Sequence, residues 1–213
     1  MAHILVIGAS KGIGRAAVER GLELGHQVRA FSRGAAEMTL EHPALELCPG
    51  DATRPEDLEP ALQGVDAVIL CLGIKETPAM LWQKVTLFSD ATAALLPLME
   101  ATGSKRLIAV TGIGAGDSRQ ALSSIERAGH WALLGRPYAD KTRQEEMIRA
   151  SGLDWTLARP VILTRGARTE RYRVLREPSD WRMGLISRAD VADFLMKAVD
   201  DASLIGQAPV LSR

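Results

Sequence analysis

The sequence predicts an α/β fold: a doubly wound, mostly parallel sheet of about seven strands with a small C-terminal substrate lobe. Three observations predict it. Short β-branched or apolar runs alternate with longer stretches of helical spacing along most of the 213 residues. Several of these runs are apolar at almost every position, the pattern of a parallel strand covered by helices on both faces. Glycines stand where the intervening helices should stop, at Gly25, Gly64, Gly103 and Gly152.

Taken in order, His3–Ile7 reads as the first strand and residues 13–24 as the first helix. Residues 27–31 and 45–48 are the second and third strands, and Pro55 opens a helix running to residue 63. Residues 67–72 form the fourth strand, 80–101 a long helix and 106–110 the fifth strand. A helix over 140–150, a strand over 155–158, a helix over 188–199 and a strand over 209–211 complete the alternation, joined by right-handed crossovers. Two stretches break the rhythm, 112–137 and 163–185. Both follow the C-terminal ends of strands, where open α/β sheets bind ligands. Five of the nine aromatics (Trp131, Tyr138, Trp155, Tyr172 and Trp181) lie in this later part, either around a substrate or inside a small lobe. No repeat, low-complexity tract or linker divides the chain, so a single domain over 1–213 is expected.

Hydrophobic residues make up 46% of the chain and charged residues 24%, with 26 Lys and Arg balancing 26 Asp and Glu. That composition argues against disorder, and zero net charge argues against a nucleic-acid or membrane-surface binder. No apolar run approaches the ~18–20 residues of a membrane span. The N-terminus enters a folded pattern with no basic region, apolar core or cleavage site, so a soluble cytoplasmic protein is expected. Cys48 and Cys71 are too few for a disulfide framework or a zinc site, and read as core thiols in a reducing compartment.

The chemistry begins directly after the first strand, where Gly8-Ala9-Ser10-Lys11-Gly12-Ile13-Gly14 opens an amphipathic helix. Gly8 permits the tight turn, Gly12 lets backbone amides approach a pyrophosphate, and Gly14 lets helix and strand pack closely. Ser10, Lys11 and Ile13 complete the loop, and the positive end of the helix dipole faces the phosphates. A strand before and a helix after are the context that separates a dinucleotide site from a structural turn. At the end of the second strand, Ser32-Arg33 stands where an acidic residue would hold a ribose 2′-hydroxyl. A guanidinium there clamps a 2′-phosphate, which a carboxylate would repel, so NADPH is expected over NADH. Ser32 and Lys11 add donors to the same phosphate. Asp51-Ala52, after the third strand, either meets the adenine amino group or caps the helix at Pro55. Leu72 and Gly73 end the fourth strand, and Gly73 lets the chain pass close to the cofactor ribose.

With these residues the chain resembles the short-chain dehydrogenase/reductase superfamily and its Rossmann fold. The G-x-x-x-G-x-G spacing is similar to that of the main branch. Gly50-Asp51-Ala52, Gly64-Val65-Asp66-Ala67-Val68-Ile69, Ser151-Gly152-Leu153-Asp154-Trp155 through Arg159-Pro160, and Ser187-Arg188-Ala189-Asp190 resemble the atypical NAD(P)H-binding branch. That branch includes biliverdin-IXβ/flavin reductases and NmrA-like proteins. The main branch uses Ser, Tyr and Lys; here Thr111 offers the only hydroxyl at the usual place of Ser. Tyr138 and Lys141 are three apart rather than four, which still puts them on one helical face.

The resemblance implies that Lys141 binds ribose, that Tyr138 or Thr111 serves catalysis, and that Pro160, Val161 and Ile162 lie beside the nicotinamide. Arg159 reads either as a ligand or as a buried partner for a carboxylate, and Asp190 as structural. Seven arginines against three acids over 165–188 leave a local excess of positive charge. They suit an anionic small-molecule substrate, a solvated face or a contact with another subunit. His130 reads either as a proton relay in the first long stretch or as an ordinary histidine. The implied function is an NADPH-dependent oxidoreductase delivering hydride to a small conjugated or carbonyl acceptor, such as a flavin, a biliverdin or a quinone. A non-catalytic redox sensor of the NmrA-like kind and a nucleotide-sugar epimerase or dehydratase are the alternatives. The oligomeric expectation is a monomer or small homo-oligomer.

Overall fold

Alternation of strand and helix holds through a computed structural model of the chain, which describes residues 1–74 and 84–213, the side chains of 124–133 excepted. The strands are β1 (His3–Ile7), β2 (Gln27–Ser32), β3 (Leu45–Pro49), β4 (Ala67–Leu70), β5 (Arg106–Val110), β6 (Asp154–Pro160), β7 (Ile162–Thr164), β8 (Arg173–Leu175), β9 (Leu185–Ser187) and β10 (Val210–Ser212). The helices are α1 (Gly12–Glu23), α2 (Pro55–Ala61), α3 (Leu87–Thr102), α4 (Ser124–Ala150) and α5 (Arg188–Asp200). The main sheet runs β3-β2-β1-β4-β5-β6-β10-β8. Every pairing in it is parallel except β10 with β8. All seven expected strands are present within two residues of their expected ends.

Strand β1 shows why the sheet is covered on both sides. Ile4 and Val6 belong to an apolar cluster shared with Val18 of α1 and Leu195 of α5. Leu5 and Ile7, pointing the other way, join Leu58 of α2, Leu95 of α3 and Ile148 of α4. The two-residue period of the strand thus feeds two separate cores, and no position of β1 past His3 can be polar.

Three features exceed the expected pattern. Strand β8 adds an antiparallel eighth strand at the edge, inside the stretch 163–185, and β7 pairs with β9 across the two ends of that stretch as a separate parallel ribbon. Three-residue strands carry too little periodicity to be read. The stretch 112–137 is largely helical: after a 3₁₀ segment at Gly116–Ala121, α4 begins at Ser124 and runs 27 residues with Pro137 inside it. An interior proline reads as a stop signal, and here tertiary context overrides it. The long helix expected over 80–101 starts at Leu87, its first expected residues lying outside those described. Among the described residues, no helix is long and apolar enough to cross a membrane.

Candidate cofactor and active site

Strand order reverses at β1, whose neighbours β2 and β4 depart in opposite directions, and a crevice opens at their C-terminal ends. A cleft of about 1030 Å³ lies there. Gly8 turns the chain with φ +86°, and its amide and that of Ala9 donate to the Phe31 carbonyl at 2.8 and 3.2 Å. A Cβ on Gly8 would sit 2.6 Å from the Cys71 carbonyl oxygen, so the turn admits only glycine. Gly14 does not line the cleft; it packs directly on the Gly8 carbonyl, where a Cβ would come within 2.8 Å of the carbonyl carbon. Gly12 has φ +62° and nothing within 4 Å of its Cβ position, an open approach at the start of α1. No acidic residue occupies the first turn of that helix, and Lys11 precedes it without a side-chain cap. Backbone donors and positive dipole are therefore both available to an anion.

One end of the cleft is lined by Ser10, Lys11, Ile13, Ser32, Arg33, Asp51, Ala52, Leu72 and Gly73. Ser32 Oγ is buried and has no hydrogen-bond partner among the described residues, while the neighbouring Arg33 is exposed. An unsatisfied buried hydroxyl beside a guanidinium fits a phosphate oxygen. Asp51 Oδ1 accepts from Thr53 N at 3.0 Å and Thr53 Oγ1 at 2.8 Å. Those bonds, with the nearby Arg33 and Arg54, hold its carboxyl below the usual carboxylate range. The local turn thus engages one oxygen of Asp51, while the residue still lines the cleft.

At the other end the cleft meets Thr111, Tyr138, Lys141 and Pro160. Lys141 Nζ donates to the Thr111 carbonyl at 2.6 Å and lies 5.1 Å from the Phe88 ring centroid and 5.2 Å from that of Tyr138. Desolvation pushes the ammonium down to about 8, and the charge of Glu145 opposes that shift. Thr111 Oγ1 donates to Glu145 Oε1 at 2.7 Å. The same carboxylate receives Arg159 through Nε at 3.0 Å and Nη2 at 2.5 Å. Arg159 also bonds Asp117 and faces the Trp181 ring at 5.1 Å, which makes it the buried carboxylate partner rather than a ligand. The Tyr138 hydroxyl rests over Gly112, where a Cβ would come within 2.7 Å of it. Asp140 turns from the cleft to cap α3, accepting from Phe88 N at 2.8 Å and Ser89 Oγ at 2.5 Å. Helix α4 is thereby pinned on both sides of Lys141.

Val161 and Ile162 do not reach the cleft: Val161 is buried in the core, and Ile162, 55% exposed, lies on β7 opposite Leu185. Of the seven arginines over 165–188, Arg188 lines the cleft. Arg168 pairs with Glu23, Arg173 reaches the Arg213 carbonyl and Arg176 reaches Ser203. Most of the local positive excess is therefore a solvated face. Trp155 stacks on Arg149, Trp181 on Arg159, and Tyr172 donates to Asp193, so these three serve packing. The side chains of His130 and Trp131 lie outside the described residues. Asp190 accepts from Thr169 N and Glu170 N at 2.7 and 2.8 Å, a structural role as expected. Sequence reasoning missed Asp140 and Gly112 as parts of the site, and noted Glu145 after Lys141 only as fitting the atypical branch, without a role of its own. Glu145 had a signal, since it lies four residues after Lys141 and hence on its helical face.

A family model described as NAD(P)H-binding matches residues 8–202. The chain is 30% identical over 163 residues to the photosystem II assembly factor Ycf39 of Cyanophora paradoxa. That match covers 72% of this chain and 43% of the relative, so the chain spans less than half that relative's length. Among solved structures, ChuY, an anaerobilin reductase from Escherichia coli O157:H7, superimposes with a TM-score of 0.81 at 25% identity, covering 99% of this chain and 96% of that one. A wide-type short-chain dehydrogenase/reductase from Veillonella parvula, solved with NADP, superimposes with a TM-score of 0.82 at 17% identity, covering 100% and 94%. That likeness is one of fold.

Proposed function

The chain belongs to the NAD(P)H-binding family, and from that premise we propose that it is an NADPH-dependent oxidoreductase reducing a small conjugated or carbonyl acceptor of flavin, biliverdin or quinone type. The observation that carries this reading is one continuous cleft with a glycine loop and Ser32–Arg33 at one end and Tyr138 and Lys141 at the other. Similarity to an anaerobilin reductase supports it.

A nicotinamide bound here would supply the hydride. The open amides after Gly12 would hold the pyrophosphate, and Ser32 and Arg33 would hold the 2′-phosphate. Lys141, anchored on the Thr111 carbonyl, presents its remaining protons to ribose hydroxyls. Tyr138 delivers a proton to the reduced acceptor from its seat over Gly112. Thr111 acts through its carbonyl and through Glu145, because its hydroxyl proton is already donated. Arg188 holds an anionic group of the acceptor. Catalysis rests mainly on proximity and orientation of the two reactants.

A non-catalytic cofactor sensor is the second reading. It is favoured by the engaged Thr111 hydroxyl and by similarity to an assembly factor. NADPH consumption across flavins, biliverdins, quinones and simple carbonyls, repeated with Lys141→Ala, separates the two. The enzyme reading expects turnover with at least one acceptor class, strongly reduced in the variant. NADPH binding without consumption by any acceptor overturns it in favour of the sensor.

A further inference from the structure

Lys141 is tied into a buried chain of polar groups that reaches both loops of the substrate side. Its Nζ donates to the Thr111 carbonyl at 2.6 Å, and the hydroxyl of the same threonine donates to Glu145 Oε1 at 2.7 Å. Glu145, 1% exposed, lies one helical turn beyond Lys141. Both of its oxygens are engaged by Arg159, which is fully buried. Arg159 in turn bonds Asp117, from the 3₁₀ segment after β5, and stacks against Trp181, from the segment before β9. Space is closed around the carboxylate as well, since a Cβ on Gly116 would come within 2.5 Å of Glu145 Oε2. A carboxylate in this setting cannot turn toward another partner.

We propose that Glu145, clamped by Arg159, is a positioning residue for Lys141: it fixes the lysine's anchor at Thr111 and holds a buried carboxylate one helical turn from the ammonium. This inference rests on the reading of Lys141 as a cofactor-binding residue. The groups around the ammonium support it. Phe88 of α3 and Tyr138 of α4 present rings to Nζ, and the end of β5 presents a neutral carbonyl. Asp140, next in sequence, is turned to the amides of α3, and Arg188 brings a like charge to the cleft wall. Glu145 is therefore the acid placed to balance Lys141 among the described residues.

The test follows the Lys141 side chain itself, by carbon-13 reductive methylation and NMR titration of the unliganded full chain, with NADPH affinity measured across the same pH range. In Glu145→Gln, which keeps the size of the side chain, the Lys141 midpoint falls by roughly one pH unit or more. The alkaline loss of NADPH affinity moves down with it. Asp117→Asn loosens the half-exposed end of the chain but keeps the Glu145–Arg159 pair, and leaves the midpoint within about 0.3 unit of wild type. An unmoved midpoint in Glu145→Gln overturns the proposal. Should that variant not fold, Glu145→Asp carries the test: the retained charge keeps the midpoint within about half a unit, and a fall of a full unit overturns the proposal. Lys141→Met tests the underlying reading separately. If NADPH affinity and its pH dependence survive that change, Lys141 is no cofactor ligand, whatever the NMR titration says of Glu145.

Discussion

Gly14 and Gly12 sit two residues apart in the same loop, and the structure assigns them opposite sensitivities. In Gly14→Ala the new methyl meets backbone, 2.8 Å from the Gly8 carbonyl carbon and nearer still to its oxygen. No flexible side chain is there to yield. Helix α1 must move by about 1 Å to restore ordinary contact. The upper end of the overpacking range, about 3 kcal/mol, applies, and for a chain of this length corresponds to a fall in Tm of roughly 6–12 °C. In Gly12→Ala the methyl has open space, and only the left-handed backbone at φ +62° is strained. That costs about 1–2 kcal/mol. On the proposed reading the same methyl stands where a pyrophosphate would approach, so NADPH affinity falls further than stability does. Thermal unfolding by circular dichroism with and without NADPH, beside a fluorescence titration, reads both effects. A Gly14→Ala protein that melts within about 2 °C of wild type and binds NADPH normally would refute the packing argument.

Arg33→Ala weakens NADPH binding about tenfold and leaves NADH binding unchanged, the low end for a charge-assisted bond because Arg33 is exposed; parallel titrations with the two cofactors check it. Lys141 has a folded value near 8 against an ordinary 10.5. The unfolded chain therefore binds more protons between those values, and stability contributed by this group rises with pH through that window. The Tm of wild type minus that of Lys141→Met increases from pH 8 to 10.5 and is flat just below it, while NADPH affinity carried by the ammonium declines over the same rise. Arg188→Ala raises KM for carboxylate-bearing acceptors several-fold and flattens the salt dependence of that KM; equal KM values at low and high salt in wild type would remove the anionic-substrate reading.

The framework was legible because parallel strands buried on both faces leave continuous apolar runs, as in Val68-Ile69-Leu70 and Leu107-Ile108-Ala109. The glycine loop was legible for a steric reason: Gly8 and Gly14 each face backbone that no side chain could share. Other parts were hidden by physics that sequence spacing does not carry. Helix α4 continues back through Pro137 and Gly135 because tertiary packing outweighs local propensity. Thr111 was expected to offer a hydroxyl to a ligand, yet a carboxylate 34 residues later accepts its hydrogen bond. Asp140 caps a helix 52 residues earlier in the chain. Such long-range bonds set which polar atoms remain available in the cleft, and they become visible only once the elements are placed. The arginines over 165–188 show the converse: a charge excess plain in sequence is mostly turned away from the cleft.

Hydride transfer from NADPH to the acceptor is followed by isotope labelling. Wild-type protein is given NADPH carrying deuterium at the transferable position of the nicotinamide, together with each acceptor, and the products are examined by mass spectrometry. Wild-type protein places one deuterium in the reduced acceptor, stoichiometric with NADPH consumed, and Lys141→Ala transfers little. Bound NADPH that is never oxidised, or a reduced product free of deuterium, would contradict hydride transfer to the acceptor.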